Sequence, residues 1–230
     1  MKLYSVSIIL PALNEELTIG KVIDEIPKED LQKVGYGVEI VVVDNNSTDG
    51  TAEIAKEKGV KVIVESIQGK GRAVRTAFKS VSGDFIFILD ADYTYPATYI
   101  PRMLEVLQEG YDVVIGSRLK GQMREGAMSR VNLVGNRLLV FMANVLYRTR
   151  ISDLCTGYWG LTRRVIEELE LDAKGFELEA AMFTEIAKKG YNIAEVPICY
   201  RRRTAPGNLS SLKDGIKIGW TLLTARFRRK

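Results

Sequence analysis

Two aspartates, Asp90 and Asp92, are separated by a single residue and follow directly on an apolar run at 85–89. Carboxylates placed so close together repel each other unless a cation lies between or near them. Mg²⁺ is typically bound by one or two carboxylates together with the phosphate groups of a substrate. The pair therefore favours a divalent cation site over a purely structural role.

Three other segments place polar residues after apolar runs: PALNE at 11–15, DNNSTDGT at 44–51 and GKGR at 69–72. In open parallel sheets, ligands bind at the carboxyl ends of the strands. If the apolar runs are strands of such a sheet, all four polar segments are expected to meet at one edge. The sequence thus predicts a ligand site at that edge.

Several of these residues also have structural interpretations. On spacing alone, Asp49 and Thr51 are typical helix caps, and the glycines of GKGR could simply permit a tight turn. Asp44 is equally suited to capping and to contacting a ligand. GKGR is not a phosphate-binding Walker loop, because the pattern GxxxxGK[ST] is missing.

The chain contains no histidine. This removes the usual general base at neutral pH, the Ser-His-Asp triad and every metal site that uses histidine ligands. Catalysis must therefore depend on carboxylates, lysine, arginine, hydroxyl groups, backbone amides or a cation bound by oxygen.

The first half of the chain alternates apolar runs with segments of helical periodicity. Near-continuous runs of Val, Ile and Leu are typical of strands that helices cover on both faces. Strands are predicted at 5–10, 38–44, 60–65, 84–90 and 112–116. Helices are predicted at 17–26, 51–58, 73–81 and 100–109. This order predicts an α/β fold with a mostly parallel sheet in three layers.

The alternation ends after residue 116. The elements predicted beyond it are a loop at 116–126, a helix at 127–147, a strand or extended loop at 152–161, a helix at 176–189, one or two strands at 191–200 with Pro197 at an edge or bend, and an amphipathic helix at 212–227. Because no linker or repeat is present, we expect a single domain over 1–230. Its parts would be a half at 1–116, a half at 117–211 and a basic tail at 212–230.

Charge is unevenly distributed along the 230 residues, whose formal net charge is +4. Residues 201–230 contain nine basic residues and one acid, so this segment carries +8 and residues 1–200 carry −4. A basic segment suggests an anionic partner. Its apolar residues include Trp220 and Phe227, and with the nearby cations they favour an interfacial helix on an anionic membrane. The alternatives are docking on the body of the protein and, ranked last, nucleic acid, for which no known binding module is present.

Cys155 and Cys199 are far apart in sequence and form no CxxC motif. This spacing predicts neither a disulfide framework nor a zinc site and fits a reducing cytoplasm. The apolar run at the start is too short for a signal peptide, and no apolar stretch reaches 18 residues. We therefore expect no leader and no transmembrane span.

The motifs PALNE, VVDNNSTDGT, GKGRA and DAD, in this order, resemble those of family 2 glycosyltransferases of the A-type fold. Later segments are most similar to polyprenyl-phosphate hexose synthases: GSRLKG…GN at 116–136, DLCTGYWGL at 153–161, FELE at 176–179 and EVPICYRRR at 195–203. The resemblance covers nearly the whole chain and implies the A-type fold throughout.

The resemblance also implies a donor site for a nucleotide diphosphate sugar. The residues that would bind the donor are Pro11, Ala12, Glu15, Asp44, Asn45, Lys70, Gly71, Asp90 and Ala91. Asp44 would contact the base. Asp90 and Asp92 would bind Mg²⁺ or Mn²⁺, which bridges the diphosphate.

A second set of matching residues implies an acceptor phosphate site. Arg118 and Arg130 match basic residues that bind phosphate in the polyprenyl-phosphate enzymes, and Arg203 matches a later arginine. Ser211 stands where the family has a lysine, and the preceding loop is one residue longer. The acceptor phosphate would thus be bound by Arg118, Arg130, Arg203 and Ser211. The candidates for catalysis are Asp92, Arg118, Arg130, Glu177 and Glu179.

The nature of the acceptor decides whether a general base is needed. A lipid monophosphate is already ionised at neutral pH, so positioning by arginines and neutralisation of the leaving group would suffice. A hydroxyl acceptor would need a carboxylate base, for which Asp153, Glu177 and Glu179 are candidates. Acids near a helix N-terminus also have a structural interpretation, because they oppose the helix dipole.

The resemblance implies a metal-dependent, inverting transfer of a hexose from a UDP- or GDP-sugar to a polyprenyl phosphate such as dolichyl phosphate. The enzyme would act at the cytoplasmic face of a membrane. The main alternative is transfer to a soluble acceptor, either a phosphorylated small acid or a sugar hydroxyl. Less favoured are a nucleotidyltransferase, which would need a basic Gly-rich loop after the first strand, and a non-catalytic module that binds nucleotide sugars.

Overall fold

Seven strands form one mixed sheet in the part of the chain that the computed structural model describes, residues 4–204 and 211–227, with the backbone alone at 211 and 212. The strands are β1 (Ser5–Ala12), β2 (Gly37–Asp44), β3 (Lys61–Val64), β4 (Phe85–Ile88), β5 (Val113–Met123), β6 (Trp159–Thr162) and β7 (Ile193–Tyr200). Their order across the sheet is β3-β2-β1-β4-β6-β5-β7. Neighbouring strands are parallel except at β6, which is antiparallel to both β4 and β5. The predicted α/β fold with a mostly parallel sheet is confirmed.

Helices cover both faces of this sheet. They are α1 (Ile19–Glu25), α2 (Lys28–Lys33), α3 (Thr51–Glu57), α4 (Lys70–Phe78), α5 (Ile100–Gln108), α6 (Arg130–Tyr147), α7 (Arg163–Glu168), α8 (Leu178–Lys188) and α9 (Ser211–Phe227). Successive strand residues point to opposite faces. Ile8 accordingly packs in a core with α1 and α5, whereas Ile9 packs in a second core with α4, α8 and α9. The sheet is therefore the middle of three layers, as predicted.

The carboxyl ends of β1, β2 and β4 reach the same edge of the sheet. The register pairs Ala12 with Asp44 and Ile9 with Ile88. Because these strands are parallel, the segments that follow them at 13–15, 45–51 and 89–92 are brought together. The polar residues singled out from the sequence thus share one edge.

The prediction of a loop at 116–126 is wrong, because β5 continues to Met123. Its outer part pairs with β7 after an irregularity between Ser117 and Gln122. A Cβ atom on Gly121 would lie less than 3.0 Å from the backbone of Ile198, so glycine allows the two strands to approach closely here. The glycines and arginines of this segment suggested a loop, but pairing with β7, which is distant in sequence, satisfies the hydrogen-bonding groups of its backbone. Pro197 lies on β7, an end strand of the sheet, as predicted.

Two short helices, α2 and α7, are not predicted from the sequence, because six residues are too few to establish a helical period. The remaining predicted helices are present, although α4 begins at Lys70, three residues before its predicted start. The division of the chain at 116 and 211 stays a prediction.

Helices α6 and α9 lie side by side, and the amphipathic helix predicted at 212–227 is confirmed. Gly219 of α9 faces Leu139 and Met142 of α6. Further along, the Tyr147 hydroxyl donates to the Leu222 carbonyl oxygen at 2.8 Å. These contacts advance in the same direction along both helices, so the helices run parallel. Among the described helices, none is both long and apolar enough to cross a membrane.

Candidate active site

Two cavities meet at the carboxyl edge of the sheet. The first, of about 550 Å³, is lined by residues that follow β1, β2 and β4, and we name it the sheet-edge cavity. The second, of about 260 Å³, lies against the beginnings of α6 and α9, and we name it the helix cavity. The residues that line both cavities are Lys70, Asp90, Asp92, Phe176 and Arg203. Two molecules bound in the two cavities would therefore meet at a wall that carries four charged groups.

Lys70, the first residue of α4, lies between two carboxylates at this shared wall. Its Nζ is 2.6 Å from Asp90 Oδ1 and 2.6 Å from Glu179 Oε1. Burial alone would lower the pKa of Lys70, but the charges of Asp90 and Glu179 outweigh burial and raise it above its usual value. Lys70 is therefore a fixed cation that joins the sheet edge to α8.

Arg203 provides the second cation of the shared wall. Its guanidinium pairs with Glu15, and its Nε lies 3.6 Å from Asp92 Oδ2. Burial is the largest influence on Glu15 and raises its pKa to about 7, although Arg203 acts in the opposite direction. Burial followed by the nearby charge of Asp90 also raises the pKa of Asp92. With Glu15 and Glu179 counted beside Asp90 and Asp92, four carboxyl groups lie against the two cations.

The chemistry of these carboxylates fits a divalent cation. Thr94 donates to Asp92 Oδ1 through its backbone N–H (3.1 Å) and its hydroxyl (2.6 Å), which orients the carboxylate. Among the described residues, no three acidic or cysteine side chains are grouped so as to hold a metal by themselves. Mg²⁺ needs no such group, because it commonly takes its remaining ligands from substrate phosphate and water. Asp90 and Asp92 could hold the cation in this way.

Most of the residues predicted to bind the donor line the sheet-edge cavity, but Gly71 and Asp44 do not. Those that line the sheet-edge cavity are Pro11, Ala12, Glu15, Asn45, Lys70, Asp90, Ala91 and Asp92. Gly71 is instead buried in the first turn of α4, against the carbonyl group of Ala173. Asp44 is buried and does not line the cavity, and its Oδ1 has no hydrogen-bond partner in the described structure.

The Asn45 side chain positions the loop before α4. Its amide donates to the carbonyl oxygens of Glu65 (3.1 Å) and Ile67 (2.9 Å) and accepts the N–H of Gly69 (2.6 Å). With these groups engaged, we interpret Asn45 as a support for the cavity wall. Its side chain is poorly placed to contact a base directly.

Arg118 lies at the far end of the helix cavity and is bound to Asp153. Its Nε and Nη2 donate to the two oxygens of Asp153, both at 2.8 Å, and Asn136 donates to the same carboxylate at 2.7 Å. Asp153 is completely buried. The backbone N–H of Arg118 also donates to it, at 3.0 Å. Both oxygens of Asp153 are thus engaged by donors, and Asp153 lines neither cavity.

Two of the residues predicted to bind the acceptor phosphate, Arg130 and Ser211, are the first residues of α6 and α9. Arg130 is exposed at the start of α6, where its neighbours Ser129 and Val131 line the helix cavity but Arg130 does not. The side chain of Ser211 falls outside the described residues. Of the predicted acceptor residues whose side chains the structure describes, Arg118 and Arg203 line the helix cavity and Arg130 does not.

Glu177 and Glu179 belong to the same motif but have different surroundings. Glu179 lines the helix cavity and pairs with Lys70. Glu177 lines neither cavity, because its carboxylate pairs with Lys217 of α9 (2.8 Å) and accepts the N–H of Lys174 (3.0 Å). Burial alone would raise the pKa of Glu177, but Lys217 and the backbone donors lower it to about 2. Of the two, only Glu179 lines the helix cavity.

Glu177→Gln is expected to change the transfer rate less than about threefold and to lower the free energy of unfolding by about 1 kcal/mol at neutral pH, because the ion pair is partly exposed. The pKa of Glu177 in the folded state, about 2, lies below its usual value of 4.5. A carboxylate of this kind stabilises the fold above pH 4.5, and its contribution is lost as the pH falls towards 2. Urea unfolding of wild type and E177Q at a series of pH values measures this difference, with the exposed Glu57→Gln as control. A difference that does not change with pH would contradict the ion pair.

Several residues that line the site were not predicted from the sequence. Phe176 lines both cavities, and Tyr95 and Tyr200 line the helix cavity. Tyr95 and Phe176 stand in or next to the DAD and FELE motifs, so their position in the motifs was the available signal.

An α/β sheet with an acidic cavity at the carboxyl ends of its parallel strands is the arrangement of an A-type glycosyltransferase. The family model described as "Glycosyl transferase family 2" matches residues 7–170. The chain therefore belongs to glycosyl transferase family 2 and is a glycosyltransferase.

Two relatives and one solved structure show the range of this similarity. The chain is 38% identical to glycosyltransferase AglJ of Haloferax volcanii over 92% of its own length and 68% of that protein. It is 33% identical to a dolichyl-phosphate hexose transferase of the same organism, over 94% and 92% of the two chains. The crystal structure of glucosyl-3-phosphoglycerate synthase from Mycobacterium tuberculosis with Mn²⁺, UDP and glucosyl-3-phosphoglycerate superposes with a TM-score of 0.77 at 26% identity, covering 99% of this chain and 81% of that one.

Proposed function

We propose that this glycosyltransferase moves a hexose, with inversion, from a UDP- or GDP-sugar to a polyprenyl phosphate such as dolichyl phosphate. One observation carries the proposal: the two cavities share a charged wall, and the second cavity opens between two helices with apolar exposed faces. A relative that spans nearly the same length is named dolichyl-phosphate hexose transferase, which supports the acceptor class.

The sheet-edge cavity is the proposed donor site. It is the larger of the two, and Pro11, Ala12 and the loop held by Asn45 form its walls. The buried Oδ1 of Asp44, which lacks a partner in the described structure, could accept an N–H of a base that reaches it. Lys70 and Arg203 would bind the diphosphate, and their present carboxylate partners hold them at the cavity wall.

Asp90 and Asp92 would hold Mg²⁺ or Mn²⁺, which supplies positive charge to the departing diphosphate. The solved relative is in complex with UDP and Mn²⁺, which supports a divalent cation together with the nucleotide. The residues of this chain contribute the remaining charge: Lys70 and Arg203 stand at the wall where the leaving group must lie. Their role is to stabilise the negative charge that develops there.

The helix cavity is the proposed acceptor site. An ionised phosphate oxygen would attack the anomeric carbon from the face opposite the diphosphate, forming one C–O bond as the other breaks. The bonding electrons leave with the nucleoside diphosphate, so the sugar is inverted without a covalent enzyme intermediate. No proton needs to be removed, which agrees with the engaged state of Asp153 and Glu177.

The exposed faces of α6 and α9 suit contact with a membrane. Five apolar residues spaced by three or four along α6 are each 62–69% exposed: Val131, Val134, Leu138, Phe141 and Val145. On the adjacent α9 the exposed apolar residues are Ile216, Trp220, Leu223 and Phe227. We name the two rows together the apolar face. Arginines occur on both helices and lysines on α9, and α6 contains no acidic residue. Apolar residues flanked by cations are typical of helices that lie in the interface of an anionic bilayer.

The double variant Leu138→Glu with Phe141→Glu is expected to weaken binding to vesicles that contain anionic phospholipid at least tenfold, because two side chains lose their burial in lipid. Vesicle sedimentation measures the change. The matched control, Leu17→Glu with Val34→Glu, alters two similarly exposed residues outside the apolar face and should bind as wild type does. Equal binding by both double variants would contradict a membrane role for this face.

Incubation with labelled UDP- and GDP-hexoses, dolichyl phosphate and Mg²⁺ or Mn²⁺ tests the proposed reaction. We expect label to enter the organic phase with one donor class only, and the product to have the inverted anomeric configuration. The main competing acceptor is a soluble phosphorylated acid, favoured by the similarity to glucosyl-3-phosphoglycerate synthase. Transfer to 3-phosphoglycerate but not to the lipid would replace the lipid acceptor with this alternative.

A further inference from the structure

Tyr95 lines the helix cavity, but its hydroxyl group has none of the roles described above. Tyr95 stands three residues after Asp92 and is 2% exposed. Its ring packs between those of Tyr158 and Tyr200, whose centroids lie 6.0 and 5.1 Å away. Its hydroxyl oxygen accepts the backbone N–H of Gly157 at 2.9 Å. The two neighbouring rings thus fix the tyrosine, and the tyrosine fixes one peptide group.

That peptide group forms the surface on which the Asp90 carboxylate rests. A Cβ atom on Gly157 would lie less than 3.0 Å from the carboxylate carbon and both oxygens of Asp90. Real Cβ atoms essentially never approach another atom so closely. Glycine is therefore required at 157, and any shift of its backbone would move the Asp90 carboxylate.

Lys70 holds Asp90 from another direction, with its Nζ 2.6 Å from Oδ1. The carboxylate is thus held by an ion pair and by contact with Gly157. The residues beside Gly157 have anchors of their own: the Thr156 hydroxyl donates to the Gly116 carbonyl at 2.7 Å, and the Trp159 indole donates to the Thr156 carbonyl at 2.7 Å. For the N–H of Gly157 the structure describes a single acceptor, the Tyr95 hydroxyl.

We propose that Tyr95 is a positioning residue for the divalent cation: by holding Gly157, it sets the location of the Asp90 carboxylate. The inference rests on the proposed function, because it takes Asp90 to be a ligand of that cation. Tyr95 belongs to the same segment as Asp90 and Asp92. One segment would therefore supply both metal ligands and also hold the Gly157 peptide that Asp90 contacts. Groups that orient metal ligands from outside the coordination shell commonly change metal affinity when they are altered.

Tyr95→Phe keeps the ring and removes only the hydroxyl group that accepts the Gly157 N–H, which makes it the direct test. Mn²⁺ binding is measured by electron paramagnetic resonance in the presence of saturating UDP, with GDP in a parallel series. We expect roughly tenfold weaker Mn²⁺ binding, within the range seen when such outer groups are removed. In the transfer assay, the metal concentration needed for half-maximal rate should rise, whereas the KM for the lipid acceptor should stay unchanged.

The matched control is Tyr158→Phe, which removes the hydroxyl of a neighbouring, fully buried tyrosine whose only described acceptor, the Ala97 carbonyl, is 3.4 Å away. It should bind Mn²⁺ as wild type does. Gly157→Ala provides a second variant, because its Cβ displaces the carboxylate directly and should also weaken Mn²⁺ binding. Thermal unfolding confirms that each variant is folded before binding is measured.

The measurements separate the positioning role of Tyr95 from the proposed metal site. Equal Mn²⁺ affinity in wild type and Y95F overturns the positioning role and leaves the proposed reaction intact. A raised acceptor KM with unchanged Mn²⁺ affinity also overturns it, because Tyr95 would then contact the acceptor. If wild type binds no Mn²⁺ with either nucleotide, the proposed metal site is wrong, and the positioning role is overturned with it.

Discussion

Asp92→Asn is expected to lower the rate of hexose transfer by roughly 10²-fold or more while leaving the fold unchanged. Asparagine keeps the shape of the side chain and can still accept hydrogen bonds from Thr94, but it removes the charge that a divalent cation needs. Because the pKa of Asp92 is raised by burial and by Asp90, the charge is costly to the folded protein. Its removal should leave stability equal or slightly higher.

Steady-state rates at saturating donor and acceptor, over a range of Mg²⁺ and Mn²⁺ concentrations, measure the loss. The control Asp30→Asn changes an exposed aspartate paired with Lys33 and should leave the rate unaltered. Chelation of the metal by EDTA should reduce the wild-type rate to a similar level and have little further effect on D92N. Full activity of D92N at ordinary metal concentration is the result that would exclude Asp92 as a ligand.

Lys70→Met is expected to lower the free energy of unfolding by about 3 kcal/mol and to abolish measurable transfer. The Nζ that it removes separates two carboxylates, each 2.6 Å away, and the Lys70 side chain is only 15% exposed. Without it, Asp90 and Glu179 repel each other in a partly buried site. The same change removes one of two cations from the wall shared by the proposed donor and acceptor cavities.

Urea unfolding and the transfer assay measure the two effects separately. Adding Glu179→Gln to Lys70→Met should restore much of the stability, because one of the repelling charges is gone, but it should not restore activity. Lys58→Met is the matched control, since Lys58 also binds a carboxylate at 2.6 Å but at the surface, where such pairs contribute about 1 kcal/mol or less. Equal stability losses in K70M and K58M would contradict the structural role given to Lys70.

The strands that carry the site could be predicted because their signals are local. β1, β2 and β4 are near-continuous apolar runs, and the DAD motif follows directly on the last of them. The parallel order of the strands then places their polar continuations at one edge. The outer part of β5 could not be predicted in this way, because its pairing depends on the close approach of Gly121 to Ile198, far along the chain.

The positions of the functional side chains likewise depend on contacts between distant segments and not only on local sequence. The sequence leaves Glu177 and Glu179 as equivalent candidates, although Glu177 is the N-cap of α8 and Glu179 lies in its first turn, so their side chains point in different directions. Contact with Lys70 brings Glu179 into the site, and contact with Lys217 holds Glu177 outside it. The pairing of Arg118 with Asp153, which occupies the Asp153 carboxylate, likewise joins residues 35 positions apart.

The absence of histidine, the acidic DAD motif and the basic, amphipathic C-terminal segment were properties of the sequence alone, and they were enough to indicate chemistry based on carboxylates and a cation. The sequence also determined the α/β fold, because hydrophobic periodicity within each segment selects its secondary structure. The tertiary structure alone decided which carboxylate faces Lys70, which peptide supports Asp90 and which side of α6 stays exposed. Those outcomes depend on contacts between distant segments, and no local pattern encodes the partner of a side chain.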